Sequence, residues 1–245
     1  LPAALATTAL GVLGALAAHS LARLVAYLTV ASVGTILAAV GLFTPAALSA
    51  ALYYLLHSTV VVAALFLLVE LVASQRGPAA DRLQPAAPVA QPVLLGLMLL
   101  LGAASAAGLP PLPGFLGKLM VLQSAAQTPA HAWVWAVVLG AGLLSLVGLA
   151  RAGVILFWNV LPDHATHSHA GGSLRLTGAT LGLLALSLVL AIAAAPIKRY
   201  TDATAAQLAD QGAYARAVLG GTHDTTRPYR GGEGDIRLPG QGAAP

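Results

Sequence analysis

The chain contains no cysteine and very little charge. Without cysteine, disulfide bonds, iron–sulfur clusters and thiolate-held metals are excluded. Only 8% of the 245 residues are charged, whereas about a quarter are charged in a soluble domain. The formal net charge of +4 comes from scattered basic residues and not from a basic stripe, which argues against nucleic acid as a partner.

The chain consists largely of long apolar segments. Hydrophobic residues make up 58% of the sequence and the mean hydropathy is +0.84, which is typical of an integral membrane protein surrounded by lipid. A spanning helix needs roughly 20 mostly apolar residues. Candidate segments lie at Leu1–Ala18, Leu24–Leu42, Leu48–Ala73, Pro92–Ala107, Phe115–Ala126, His131–Trp158 and Leu174–Ala195. We therefore predict an all-α, polytopic transmembrane helix bundle.

The last apolar segment ends before residue 199, and this boundary sets the predicted domain organisation. We predict a transmembrane bundle over 1–199 with about six to seven helical segments, a surface helix at 200–219, and a disordered tail at 220–245. Thr201 or Asp202 is the expected N-cap of the surface helix. The tail is rich in glycine and polar residues. Because the chain starts at Leu1 inside an apolar segment, we expect no signal peptide and expect a longer parent protein.

One apolar segment is interrupted by a cluster of proline and glycine, with Lys118 just beyond it. The expected hinge residues are Gly108, Pro110, Pro111, Pro113 and Gly114. A straight helix through both halves would far exceed the roughly 30 Å hydrocarbon core, so we predict a discontinuous helix. Broken helices are tolerated in membranes where they pack in protein or line a wet cavity.

Lys118 is the first candidate functional residue, because an ionisable side chain inside the membrane indicates function. The N-terminal dipole of the following half-helix disfavours its charge, whereas carbonyls at the end of the preceding half would hold an ammonium. A lysine between these influences is suited to gain and lose a proton. The alternative is a lysine that extends to the membrane interface.

His57 is the second candidate, since it falls near the middle of its apolar segment and is followed by Ser58 and Thr59. Histidine titrates near neutral pH and can relay protons. The alternative is a neutral histidine bonded to a neighbouring helix. Glu70 lies about 20 Å farther along the same helix, too far to touch His57. It is either a proton acceptor at an aqueous entrance or a helix-end carboxylate.

The remaining polar residues favour structural roles. Arg23 and Arg151 are expected to be helix-end cations. The segment Asp163-His164-x-x-His167-x-His169 has metal-capable side chains, but nothing else supports a site, so we predict no metal. The sequence contains no nucleophile–base pattern, phosphate loop or dinucleotide fingerprint. These features favour a membrane transport protein over an enzyme.

Three segments resemble the antiporter-like membrane subunits, which include the large subunits of multisubunit (Mrp-type) cation/proton antiporters and their relatives in respiratory complex I. They are Arg23-Leu-Val-Ala-Tyr27…Ser32-Val-Gly34, His57–Leu67 and Gly108–Lys118. The segments Leu149–Trp158 and Tyr200–Gly220 resemble the D-type subunit of the Mrp antiporters. The resemblance covers nearly the whole chain and corresponds to the C-terminal half of such a protein.

The resemblance implies proton movement coupled to efflux of Na⁺ or another monovalent cation, with Lys118 as a proton-binding switch. It also implies partner membrane subunits in a bacterial inner membrane, and no organic cofactor. Two positions depart from the family pattern, because Ala22 and Val62 stand where the family often has lysine. A proton path would then depend on Lys118, His57, water and hydroxyls such as Thr59 and Ser105.

Two alternatives remain open from the sequence. The first is a proton-pumping component of a respiratory complex linked to NADH and quinone, or to a hydrogenase. The second is a structural membrane scaffold without transport of its own, for which the vacant lysine positions at Ala22 and Val62 argue.

Overall fold

The computed structural model describes residues 1–161, 172–210 and 212, and most of these residues are helical. The helices are α1 (Pro2–Leu16), α2 (Leu21–Val40), α3 (Pro45–Gln75), α4 (Pro92–Ala107), α5 (Pro113–Ala125), α6 (His131–Gly153), α7 (Leu174–Ile192) and α8 (Ala194–Ala209). A π-helical turn at Val154–Trp158 extends α6. Across the described ranges the only β pairing is an isolated bridge between Ser20 and Arg82. The predicted all-α fold with a discontinuous helix is confirmed.

Among the residues that the structure describes, four helices are long and apolar enough to cross a membrane: Leu21–Val40, Pro45–Gln75, His131–Trp158 and Leu174–Ile192. Two shorter apolar helices, Pro2–Leu16 and Pro92–Ala107, accompany them. Many large apolar side chains lie on the outside, as lipid contact requires. The chain is therefore a multi-pass membrane protein.

Local sequence signals set the helix ends. The side chain of Ser20 accepts from the Arg23 amide, so α2 starts at Leu21 and Arg23 belongs to its first turn. Gly108 ends α4 with a left-handed φ of 87°, which glycine adopts without strain. Pro113 and Gly114, predicted as part of the hinge, instead form the first turn of α5. The break is therefore the shorter connection of residues 108–112.

The helices approach one another closely where small residues meet. A Cβ on Gly11 of α1 would overlap the Ala31 backbone of α2, and one on Gly34 of α2 would overlap Thr8. Such small-residue contacts let transmembrane helices pack backbone to backbone. The longest helix, α3, contacts α2, α4, α5 and α7, and thus carries its polar residues through the middle of the bundle.

The connection between α3 and α4 is organised around the buried side chain of Arg76. Its guanidinium donates to the carbonyls of Ala80 at 3.0 Å, Arg82 at 2.7 Å and Gln84 at 2.7 Å. Within this loop, the Asp81 carboxylate accepts from the Ala22 amide at 2.9 Å, at the N-terminus of α2. The loop therefore joins the end of α3 to the start of α2.

Helix α8 starts earlier than the sequence predicted. It begins at Ala194, so Thr201 and Asp202 lie inside it and neither is its N-cap. Ser49 of α3 donates to the Asp202 carboxylate at 2.6 Å, and Lys198 pairs with the same carboxylate at 2.6 Å. The helices up to Ala206 belong to one compact unit. The predicted tail lies outside the described residues.

Candidate functional site: a lysine at the helix break

Lys118 of α5 connects the two halves of the broken helix. Its ammonium donates to the carbonyl of Ala107 at 2.7 Å and to that of Ala106 at 3.1 Å. These carbonyls belong to the last turn of α4, where a helix leaves carbonyl groups without intrahelical partners. The break thus creates acceptors inside the bundle, and Lys118 satisfies them. An ammonium has three donors, and these two bonds leave one for another acceptor.

Glycines make room for this arrangement. A Cβ on Gly108 would lie 2.9 Å from Cδ of Lys118. A Cβ on Gly142 of α6 would lie 3.0 Å from the Ala107 carbonyl oxygen and 3.4 Å from the ammonium nitrogen. The lysine is therefore enclosed closely by α4 and α6, and not extended to the membrane interface.

His57 of α3 is buried, with 2% of its surface exposed. Its Nε2 would lie 2.8 Å from a Cβ on Gly114, and that Cβ would also overlap the Ser105 carbonyl oxygen. Nδ1 is buried without a hydrogen-bond partner among the described residues. Buried polar atoms in proteins are normally bonded to protein or to ordered water. The orphaned Nδ1 therefore marks a place for a further partner.

Lys118 and His57 line the same small cavity, with a volume of about 30 Å³. Its hydroxyl-bearing walls come from α2, α3 and α6: Ser32, Thr35, Tyr54, Ser58 and Ser145. Val62 lies on the same wall, one helical turn after Ser58. One of the two vacant lysine positions thus borders the space between Lys118 and His57.

A short chain of hydroxyls borders this cavity. Ser58 donates to Ser32 at 2.8 Å, and Ser32 is 3.3 Å from the Tyr54 hydroxyl. Sequence reasoning identified Ser58 but missed Ser32 and Tyr54. The spacing of Tyr54 and Ser58 places them on one helical face and could have indicated Tyr54. Ser32 belongs to the segment that resembles the family, but its spacing along α2 does not indicate a contact with α3.

Lys118 also borders a second cavity, of about 240 Å³. Gly108, Pro110 and Phe115 at the break line it, together with Gly142 of α6. The rest of its lining is apolar and comes from Ala107, Leu109 and side chains of α5 and α6. The ammonium thus lies between a small cavity rich in hydroxyls and a larger, mainly apolar one beside the break.

Several predicted residues lie away from this site. Thr59 is on the exposed face of α3 and donates to the Leu55 carbonyl at 2.8 Å. The Ser105 hydroxyl is 3.1 Å from that of Ser187 in α7, so only its backbone borders His57. Glu70 is exposed and does not line the small cavity.

Arg23, Arg151 and the metal-capable segment are the remaining candidates from the sequence. Arg23 is exposed, whereas Arg151 donates to the Ala18 carbonyl at 2.8 Å and so links α6 to the end of α1. No group of side chains that could hold a metal ion occurs in the part of the chain that the structure describes. The Asp163–His169 segment lies outside that part.

The chain matches proteins with the same type of helix bundle. Residues 2–145 match the model of the NADH:quinone oxidoreductase/Mrp antiporter transmembrane family. The chain is 31% identical to the D-type subunit of the Na(+)/H(+) antiporter of Bacillus subtilis over 213 residues, which cover 87% of this chain and 43% of that protein. It is 32% identical to the D-type subunit of a probable K(+)/H(+) antiporter of Rhizobium meliloti over 241 residues, with 87% and 44% covered.

The fold is also similar to that of a solved structure. A chain of the Mrp complex from Dietzia sp. DQ12-45-1b superposes with a TM-score of 0.75 at 26% identity, covering 89% of this chain and 48% of that one. The chain thus spans less than half the length of the curated relatives. With more than half of its residues in the family match, the chain belongs to the NADH:quinone oxidoreductase/Mrp antiporter transmembrane family.

Proposed function

We propose that this chain forms the proton-translocating part of a D-type subunit in a multisubunit Na⁺/proton antiporter. The observation that carries the proposal is the Lys118 ammonium, held at 2.7 Å by the Ala107 carbonyl and lining one cavity with His57. A partly buried lysine at a helix break and a buried histidine bring two proton-carrying groups to one cavity inside the membrane.

Lys118 acts as a switch because two opposing forces act on its charge. The carbonyls of Ala106 and Ala107 stabilise the ammonium, whereas the apolar lining around this partly buried side chain favours the neutral amine. A small movement of the break changes the distance between the ammonium and these carbonyls. It leaves the surroundings that favour the neutral amine unchanged. The amine then loads a proton from one cavity and releases it toward the other.

His57 is the relay partner of Lys118 in this proposal. Like charges repel strongly in a low-dielectric interior, so a proton on one group disfavours a proton on the other. The pair therefore carries one proton at a time. Glu70, exposed on the same helix, is proposed to exchange protons at an aqueous entrance.

The partners are proposed from the relatives. Both curated relatives are parts of multisubunit antiporters, and the superposed structure is that of an Mrp complex. We infer that this chain works with other membrane subunits in a bacterial inner membrane. One relative is named for Na⁺ and the other for K⁺, so the Na⁺ assignment requires its own transport assay with both cations.

Substitution of Lys118 tests the switch. In membrane vesicles that contain the full-length protein in its complex, Lys118→Ala should abolish proton-coupled Na⁺ transport while the complex still assembles. Lys118→Arg keeps a positive charge that cannot be lost in proteins, so it should also abolish transport. Lys198→Ala is the matched control, because that lysine is exposed on α8. Near-normal transport in Lys118→Ala contradicts the proposal.

The second candidate is a proton-pumping component of a respiratory complex, which the family match to NADH:quinone oxidoreductases favours. Purification of the full-length protein with its partners separates the two. Small Mrp-type membrane subunits support the antiporter, whereas iron–sulfur subunits support the respiratory complex.

A further inference from the structure

A groove on the outer face of the bundle lies between the end of α1 and the first half of α2. It has a volume of about 380 Å³, and His19 and Arg23 line its polar end. The rest of its lining is small or apolar and consists of Gly14, Ala17, Ala18, Ala26, Tyr27 and Val30. This α1–α2 groove therefore has the two-part chemistry that suits an amphiphilic molecule, with a polar end and apolar walls.

The polar end of the groove has hydrogen-bond donors that the described residues leave unused. The hydrogen bond of Arg23 to Ser20, at 3.3 Å, comes from its backbone amide and not from its side chain. Among the described residues the one ion pair is that between Lys198 and Asp202, so the exposed Arg23 guanidinium has no carboxylate partner there. Arg76, in contrast, donates its guanidinium to three carbonyls of its own loop. Arg23 is thus available to a ligand, whereas Arg76 is not.

The surroundings of the groove are rich in positive charge. The Arg151 guanidinium donates at 2.8 Å to the carbonyl of Ala18, which lines the groove. Arg82 is exposed in the loop that pairs with the start of α2. Two carboxylates, Asp81 and Glu70, belong to the same end of the bundle, and the described residues show no ion pair between them and these arginines. Arginines outnumber carboxylates here, and clustered arginines at a membrane surface attract anionic lipids.

The apolar part of the groove continues deeper along α2. An adjoining cavity of about 330 Å³ shares Ala26 and Val30 with it and extends to Val33. The ten residues of helix from Arg23 to Val33 rise by about 15 Å, which is half of the roughly 30 Å hydrocarbon core. The path is therefore as deep as one leaflet. That depth suits an acyl chain, whereas a spanning helix of another protein would need the whole thickness.

Gly14 and Tyr27 shape the groove near its polar end. A Cβ on Gly14 would overlap the Tyr27 ring, so the glycine of α1 makes room for the ring against that helix. Tyrosine is enriched where headgroups meet the hydrocarbon, because its ring is apolar and its hydroxyl is polar. Tyr27 lies one helical turn after Arg23 and forms the wall between the polar and apolar parts.

We propose that the α1–α2 groove binds one anionic phospholipid of the membrane, with its phosphate at Arg23 and His19 and an acyl chain along α2 to Val33. The planar guanidinium of Arg23 donates two parallel N–H bonds to phosphate oxygens, which a point charge cannot do. The His19 ring supplies a further donor. The acyl chain covers the exposed face of α2 at Ala26 and Val30. This site lies on another face of α2 from the small cavity, so it does not depend on the proposed proton transport.

Lipid binding to the full-length protein in its complex tests the headgroup contact. The probe is phosphatidylglycerol, titrated into the purified complex and counted by native mass spectrometry against phosphatidylcholine with the same acyl chains. Arg23→Gln should weaken the binding of one phosphatidylglycerol by about fivefold and leave phosphatidylcholine unchanged. Arg199→Gln is the matched control, because it removes an exposed arginine from α8, which docks at the other end of α3. If Arg23→Gln does not assemble, Arg23→Lys keeps the charge and should still lose part of the affinity with the bidentate contact.

A second pair of variants tests the acyl-chain path without changing any charge. Ala26→Phe fills the groove where its two parts meet and should remove the same phosphatidylglycerol that Arg23→Gln weakens. Leu37→Phe adds similar bulk to an exposed position of α2 outside both cavities, so binding should be unchanged. Equal retention of the two lipids by the unmodified complex, or unchanged retention in both Arg23→Gln and Ala26→Phe, overturns the proposal.

A nitroxide label at Val30→Cys, in a complex whose other cysteines are replaced, identifies what covers this face. Oxygen dissolves in the acyl chains of the membrane, so a label that faces lipid should relax faster when oxygen is present. The same label at Val61→Cys, on a buried position of α3, is the protected reference. A label at Val30→Cys that is as protected as this reference means that a protein helix occupies the groove, which also overturns the proposal.

Discussion

Gly114 and His57 touch across the interface of α5 and α3. A Cβ on Gly114 would lie 2.8 Å from Nε2 of the imidazole and would overlap the Ser105 carbonyl oxygen of α4. Three helices therefore meet at one glycine, next to the cavity that Lys118 borders. The sequence requires glycine here for space and not for an unusual backbone conformation.

Gly114→Ala should therefore separate α5 from α3 and α4. Overpacking of a well-packed core costs about 1–3 kcal/mol, and the displaced ring also disturbs the cavity. We expect a lower thermal unfolding temperature of the purified complex and a strong loss of transport. Gly178→Ala on α7 is the control, because nothing lies within 4 Å of a Cβ there. Equal stability of the two variants contradicts the close contact.

Gly142→Ala tests the wall of the lysine site from the side of α6. Its methyl group would lie 3.0 Å from the Ala107 carbonyl oxygen and 3.4 Å from the Lys118 ammonium. The carbonyl must then shift, so transport should fall by about tenfold or more while the complex still assembles. Gly140→Ala on the same helix has no atom within 4 Å of the new methyl group and should be silent.

Val62→Lys places a second ammonium on the cavity wall shared with Lys118. Two like charges in a low-dielectric space repel, and the longer side chain also fills a volume of about 30 Å³. We expect slower proton-coupled transport in vesicles. Val62→Leu controls for added size without charge and should have a smaller effect. A silent Val62→Lys would place this position outside the proton path.

The Asp202 contact with α3 predicts a pH dependence outside the membrane-spanning helices. Hydrogen bonds from Lys198 and then from Ser49 lower the pKa of Asp202 below its usual 3.8. A carboxyl group with a lowered pKa contributes stability above that usual value, and the contribution disappears as the pH falls through the lowered one. Docking of α8 on α3 should therefore be constant near neutral pH and weaken below about pH 4.

The distance between spin labels on α3 and α8 reports this docking and can be measured across the pH range. Asp202→Asn should show the weakened docking at every pH, although an exposed pair contributes only about 0.2–1 kcal/mol. Glu70→Gln, an exposed carboxylate elsewhere on α3, should not change the distance. A pH-independent distance in the unmodified protein contradicts the prediction.

The sequence predicts most of the fold because its signals are local. Apolar length identifies the spanning helices, and the Gly108–Pro113 cluster marks the break. The errors arise where tertiary contacts override a local signal. Thr201 and Asp202 look like N-caps, but their side chains bond to Ser49 of α3, so α8 can start at Ala194 instead.

The site is harder to predict, since the direction of a side chain depends on packing. Lys118 and His57 stand out because charge is rare in an apolar segment. Ser58 and Thr59 are equivalent in the sequence, yet one faces the cavity and the other faces outward. Ser32 joins the site from a different helix, and no spacing along the chain reveals that contact.

The Arg76 loop has a consequence for which parts of the bundle can move. At the C-terminal end of α3, this loop joins α3 to the start of α2 through Asp81. At the other end of α3, Ser49 is fastened to α8. Helix α3, which carries Tyr54 and His57, is therefore anchored at both ends, and α2, which carries Ser32, is anchored at its start. In the proposed transport cycle, we expect displacement to fall on the short connection between α4 and α5 and to carry Lys118 with it.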